Sequence, residues 1–295
     1  MKTNLFYLIL LTLLGSSCMK EEMPPATMEV SIDSHRYSVG DTVTFRLVGN
    51  PDNIVFYSGE SGHNYALKDR QYTDNDIQIN FSTLVQWGVI YDNLKILVSN
   101  DFSGIYDEDN VSEANWVDVS DKFVFSEGAD HVPSGTISLK EYVSPVDTGS
   151  FYIAFRYTDT QKAQQNRWVV RSFNAAKISP EGVSTNLATI ATAGWNAVSF
   201  LNDERVWTIT SAQLLMYGGV ATDTDNDDWA ITKGFKIRES VADKGIAIKN
   251  ISSQLNEYKY VYQQPGTYQA VFETSSVWYS GEKRDKVAIT VEVTE

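Results

Sequence analysis

The chain has 295 residues, with 38 Asp and Glu against 24 Lys and Arg and a formal charge of −14, a balance that argues against nucleic acid and anionic membrane surfaces as partners. Its single cysteine rules out a disulfide framework. Three dispersed histidines, none near a GxSxG elbow, offer neither a nucleophilic triad nor a clustered zinc site, whereas 38 acidic residues can never exclude a two-carboxylate glycosidase by counting.

Residues 1–17 read as a signal peptide. Lys2 supplies the positive start, Leu5 to Leu14 form a ten-residue apolar run, and small Gly15, Ser16 and Ser17 follow. That run is too short to span a bilayer. A lone thiol directly after small residues predicts cleavage before Cys18 and acylation of it, with an ordinary signal peptide as the alternative. Residues 18–30 then form a lipidated tether. Its Met19-Lys20-Glu21-Glu22 resembles the signal that sends Bacteroidota lipoproteins to the outer face of the outer membrane, although charges next to Pro24 and Pro25 also suit a solvated linker. Several acyl chains anchor stably, so the expected membrane contact is through the lipid alone.

The body reads as all-β. Period-two alternation recurs at 42–48, 94–98, 151–157, 168–171 and 286–293, separated by Gly, Asn, Asp and Pro clusters, and no long stretch keeps a helical apolar period. Residues 39–65 resemble the first strands of a PKD-type, immunoglobulin-like module. Residues 258–294, YKYVYQQPGTYQAVF followed by VAITVEV, resemble its closing strands, with Pro265-Gly266 turning Tyr268 into the corner position where its hydroxyl caps backbone. The expectation is one discontinuous sandwich, 31–72 with 241–295, because about 45 residues make a meagre core for an independent sandwich. Residues 73–240 are then an inserted domain. Their order of strand-like stretches, LKILVSNDFSG, ANWVDVSD, SGTISLKEY, GSFYIAFRYTD and WVVRSFNAA, resembles the jelly rolls grouped with galactose-binding-like and choice-of-anchor domains.

Chemistry concentrates at a few turns. The run Asp223-Thr224-Asp225-Asn226-Asp227-Asp228 lacks the glycine and closing glutamate of an EF-hand, yet Asp223, Asp225 and Asp227 are candidate ligands for a structural calcium. The alternative is a solvated Asp-rich turn. Sugar recognition stacks a pyranose on an exposed aromatic ring beside polar loops; the candidates are Trp195 with Asn196, Trp87 and Trp229, each at a turn, weighed against packing in the core. Trp278 and Tyr279 fall at a loop of the discontinuous sandwich, and Tyr57 and His63 read as framework.

Over the whole mature chain, discontinuous sandwich plus inserted jelly roll, the sequence resembles Bacteroidota outer-membrane lipoproteins of the SusE-position, surface glycan-binding type, encoded beside SusC/SusD-type importers. The resemblance implies non-covalent binding of a polysaccharide or oligosaccharide at the cell surface, with an importer of the SusC/SusD type as a candidate partner; the residues themselves point to no cofactor beyond that calcium and to a protein that is not an enzyme, although two-carboxylate chemistry stays open. The alternatives are a carboxylate-dependent glycan-active enzyme and a structural or adhesive subunit that binds no sugar.

Overall fold

The computed structural model describes residue 23 and residues 25–89, 92–145 and 149–295; Cys18 and residues 1–17 before it, where the cleavage and acylation were expected, lie outside the described residues. The chain is all-β, and its described residues divide into two compact units, one formed by those up to Arg70 with Ala242–Glu295, the other by those of Gln71–Val241. The first unit opens with β1 (Glu29–Ser31), β2 (Arg36–Ser38), β3 (Thr42–Val48) and β4 (Asn53–Tyr57). The second holds β5 (Asp76–Gln86), β6 (Leu94–Ser99), a short helix α1 (Glu108–Glu113), β7 (Val117–Asp118), β8 (Val132–Pro133), β9 (Ile137–Ser138), β10 (Tyr152–Asp159) and β11 (Arg167–Ile178). It continues with β12 (Ser184–Thr189), β13 (Asn196–Ser199), β14 (Thr208–Ile209), β15 (Leu214–Tyr217) and β16 (Asn226–Ile231). The chain then returns to the first unit through β17 (Ile246–Lys249), β18 (Glu257–Val261), β19 (Gly266–Trp278) and β20 (Gly281–Thr294).

Strand pairing joins the two ends of the chain. β18 pairs antiparallel with β3, and β19 pairs with β4, giving sheets of order β1-β3-β18 and β17-β4-β19-β20-β2. Alternation in β3 explains its place: Val43, Phe45 and Leu47 are buried while Thr42, Arg46 and Val48 face solvent. Phe45, Phe56 and Phe272 meet between the sheets at centroid distances of 5.5, 5.1 and 4.9 Å, and truncating any one of them to alanine should cost roughly 3–5 kcal/mol. The chain bends at Gln264 and enters β19 at Gly266; the Tyr268 hydroxyl donates back to the Gln264 carbonyl at 2.9 Å, and its ring stacks on Tyr262 at 4.5 Å.

The second unit is a sandwich of a five-stranded sheet, β13-β16-β10-β6-β7, and a larger one, β14-β15-β11-β5-β8, to which β12 and β9 add at β11 and β5. Its core gathers Phe81, Ile96, Phe155, Trp168 and Phe173, and the Trp168 indole N–H is satisfied by Asn93 Oδ1 at 2.8 Å. The five-stranded sheet departs from simple alternation because both faces are covered. Tyr152, Ala154, Trp229 and Ile231, which point away from the core, form a second cluster under Phe102, Tyr106, Val111 and Trp116. Helix α1 holds that cover in place, its first turn capped by the Asp107 carboxylate accepting from Asn110 N at 2.9 Å.

Candidate functional site at the loop end of the second unit

Four connections gather at one end of this sandwich: 87–93, 159–166, 200–207 and 218–225. Side chains that accept or donate to backbone tie them together. Asp225 accepts from Gln161 N at 2.7 Å, Gln165 Nε2 donates to Thr224 O at 2.8 Å, and Asn226 Nδ2 donates to Gln165 Oε1 at 2.7 Å. Arg205 grips Asp223 with two bonds of 3.0 and 3.3 Å, and this pairing holds the Asp223 carboxyl below its ordinary range.

Trp87 stands at the edge of this cluster. It is 49 % exposed and adopts φ +58°, a left-handed conformation that costs an L-residue roughly 1–2 kcal/mol. Asn166 holds it there, donating from Nδ2 to the Trp87 carbonyl at 3.0 Å. Gly88 follows at φ +61°, and a Cβ there would lie 2.5 Å from Asn166 Oδ1, so this clamp needs glycine. The Trp87 ring meets Tyr217 edge to face at 4.9 Å. Register sets Gln86, Arg167 and Tyr217 side by side on β5, β11 and β15. Arg167 donates to Gln86 Oε1 at 2.5 Å and lies 5.7 Å from the Trp87 centroid, while Arg205 lies 5.6 Å from that of Tyr217. Two aromatic rings bordered by guanidiniums and an amide thus form a face on the outer side of the larger sheet.

The same 87–93 loop leads into an open cavity of about 460 Å³ lined by Asp92, Asn93, Thr158, Asp159, Asp225 and Asp227. A second hollow of about 490 Å³ shares Asp92 and adds Lys95, Asp118 and Phe125. Asn93 connects cavity and platform, since its amide donates to Asn166 Oδ1 at 3.4 Å. Three of the cavity carboxylates, Asp159, Asp225 and Asp227, are already engaged, and Asp92 is exposed at the rim. Asp227 accepts two bonds from Arg156 at 2.8 and 2.6 Å, which holds that guanidinium more firmly protonated. Asp159 pairs with Lys162 and accepts from the Tyr157 hydroxyl at 3.0 Å and from Asn166 N at 3.1 Å.

Several expectations for individual residues are corrected by these placements. Trp195 offers no stacking face, because it is 9 % exposed, packs on Phe155 and Phe173 at 5.7 and 5.0 Å, and donates to Ile190 O at 3.1 Å. Its neighbour Asn196 turns back to Gly194 O at 3.0 Å and pairs with Ile231, at the far end of β16 from Asn226. Trp229 is 5 % exposed, covered by Trp116 at 5.2 Å, with its N–H on Asp227. Asp223, Asp225 and Asp227 do not converge as calcium ligands: each engages a different partner, Arg205, Gln161 N and Arg156. Among the described residues no group of three or more His, Cys, Asp or Glu is assembled for a metal. Tyr217 and Arg167 were missed by sequence reasoning, since only strand register brings them to Trp87, and so was Asn166, which reaches it through a side-chain bond to the Trp87 carbonyl.

The family model described as Domain of unknown function (DUF5017) matches residues 17–195, which run through the first strands of both units to Trp195. No curated protein matches the chain.

Proposed function

The chain belongs to the DUF5017 family, and we propose that this member is a lipid-anchored cell-surface protein that holds a polysaccharide or oligosaccharide non-covalently, as an accessory of a SusC/SusD-type uptake system. The observation that carries the reading is the half-exposed Trp87 ring, kept in left-handed backbone by Asn166 and flanked by Tyr217. Backbone held in a costly conformation around an exposed aromatic is a marker of function. A pyranose presents an apolar face that suits such a ring, while Gln86, Arg167 and the exposed Asp92 carboxyl of the adjoining groove can take its hydroxyls. An acidic chain is compatible with a neutral ligand, and neither step requires a metal or a cofactor.

A hydrolytic reading gains little support from the groove. Asp159 and Asp227 are each bound to a cation, so neither is placed as a free acid or nucleophile.

Affinity electrophoresis of the soluble form from residue 19, run against plant, host and microbial polysaccharides, tests the reading. One glycan should retard the protein, and Trp87→Ala should weaken that retardation at least tenfold, about 1.4 kcal/mol. Retardation unchanged by Trp87→Ala would remove this face as the site. No retardation by any glycan, together with co-purification with an importer, would favour the structural-subunit reading.

A further inference from the structure

The long hairpin of β19 and β20 ends in Val277-Trp278-Tyr279-Ser280, a tip at which Val277 and Tyr279 are open while Trp278 is partly covered, its indole N–H buried. Val277 is 49 % exposed and Tyr279 81 %, the highest exposure among the large apolar side chains described. The Trp278 and Tyr279 rings pack on each other at 5.8 Å. Next to them stand Lys283 and Arg284, and the stretch Glu282-Lys283-Arg284-Asp285-Lys286 holds one more cation than anions in a chain whose formal charge is −14.

What faces this tip follows from the path of the N-terminal segment. Thr274 Oγ1 donates to Ala26 O at 2.6 Å, Ser276 Oγ to Pro25 O at 3.0 Å, and Lys283 Nζ to Met23 O at 3.1 Å. The Met23 Cε lies 3.8 Å from where a Gly281 Cβ would sit. Followed backwards, the chain therefore climbs the hairpin and reaches its tip at Met23. Cys18 is five residues further, and five residues span at most about 18 Å. The hairpin's other end, where Val39 N donates to Thr294 O, is 13 paired positions away, about 43 Å at the rise of an antiparallel strand.

We infer that the Val277–Tyr279 tip docks into the headgroup region of the bilayer that holds the acylated Cys18, as a second membrane contact beside the lipid. Tyr279, exposed and with an apolar body and a polar edge, is a side chain that favours this zone, Val277 adds apolar surface beside it, and Lys283 at the flank favours it further. The inference rests on acylation of Cys18 and fixes how the first unit stands on the membrane, with its tip down and the opposite turn at Val39 about 40 Å above the surface.

The test uses the full-length, acylated protein, in which Cys18 leaves no free thiol. Tyr279→Cys and Val39→Cys are labelled with an environment-sensitive fluorophore and reconstituted on phosphatidylethanolamine and phosphatidylglycerol vesicles carrying a spin label near the headgroups. The label at 279 should shift to the blue and be quenched at least about twofold more than the label at 39. If both proteins float with the vesicles but quench alike, the docking is refuted while the anchor stands. If neither floats, the anchor itself fails and the docking falls with it. An unlabelled Tyr279→Ser variant with an unchanged far-ultraviolet spectrum should leave vesicles faster in a lipid-transfer assay than the parent; equal rates count against the contact.

Discussion

Asp228 lies on β16 with no exposed surface, its carboxyl oxygens without a hydrogen-bond partner among the described residues. Burial, reinforced by the negative charges of Asp227 and Asp203, pushes its carboxyl from 3.8 up to about 7. Between those two values the folded protein keeps a proton that the unfolded chain has lost, so stability falls as pH rises through that window and is level above it. At about 1.4 kcal/mol per pH unit, the interval from 3.8 to about 7 amounts to roughly 4 kcal/mol. Asp228→Asn keeps the shape and removes the titration. The variant should match the parent near pH 4 and exceed it by up to roughly 4 kcal/mol at pH 8. Urea unfolding followed by tryptophan fluorescence at half-unit steps from pH 4.5 to 8 would measure the difference. A gap between variant and parent that stays constant across the series would refute the reasoning, because it would mean that Asp228 titrates alike in both states.

Trp87→Gly should leave the unfolding midpoint of the second unit within about 1 kcal/mol of the parent, relief of left-handed strain offsetting the entropy of glycine, while glycan retardation is lost; urea titration beside affinity gels separates the two. Tyr268→Phe deletes the bond to Gln264 O and should destabilise the first unit by about 1 kcal/mol, read as a lower denaturation midpoint with an unchanged slope. Because Asp223, Asp225 and Asp227 engage separate partners, excess EDTA should leave the thermal midpoint of the soluble protein in place, whereas a fall of more than about 4 °C would restore a structural cation.

The all-β class was legible because short runs such as 42–48 bury every second residue, and because Gly, Asn and Asp mark the turns between them. The Tyr268 corner was legible too, since Pro265 interrupts the strand pattern just before Tyr268 opens the next one, and its hydroxyl bonds the Gln264 carbonyl four residues back. Individual tryptophans were not. Trp195 stands in an Ala-Gly-Trp-Asn turn that reads as exposed, yet its ring folds into the core beside Phe155 and Phe173. Local composition reports that the backbone turns and not which way the following side chain points. The Asp run misled for a related reason. Its acids are spaced like oxygen ligands, but long-range partners decide their use: Arg205 and Arg156 come from other parts of the chain. The Trp87 face depends on register between β5, β11 and β15, which no local pattern encodes.

The cover on the five-stranded sheet narrows where recognition can occur. A jelly roll has two sheet faces and two loop ends to offer a ligand. Here the outer face of the five-stranded sheet is closed by Phe102, Tyr106, Val111 and Trp116, a cluster whose opening would expose Tyr152, Trp229 and Ile231. Exposing those three would cost on the order of 5 kcal/mol, more than a weakly held sugar returns. On the outer side of the larger sheet, Leu84 and Val169 are buried among their neighbours, which leaves the row of Gln86, Arg167 and Tyr217 with Trp87 at its margin. That row adjoins the loop end and the groove at Asp92, so an extended chain could lie across ring and groove together. A substitution at Asp92 that weakened long glycans but not short ones would then measure how far the occupied surface runs.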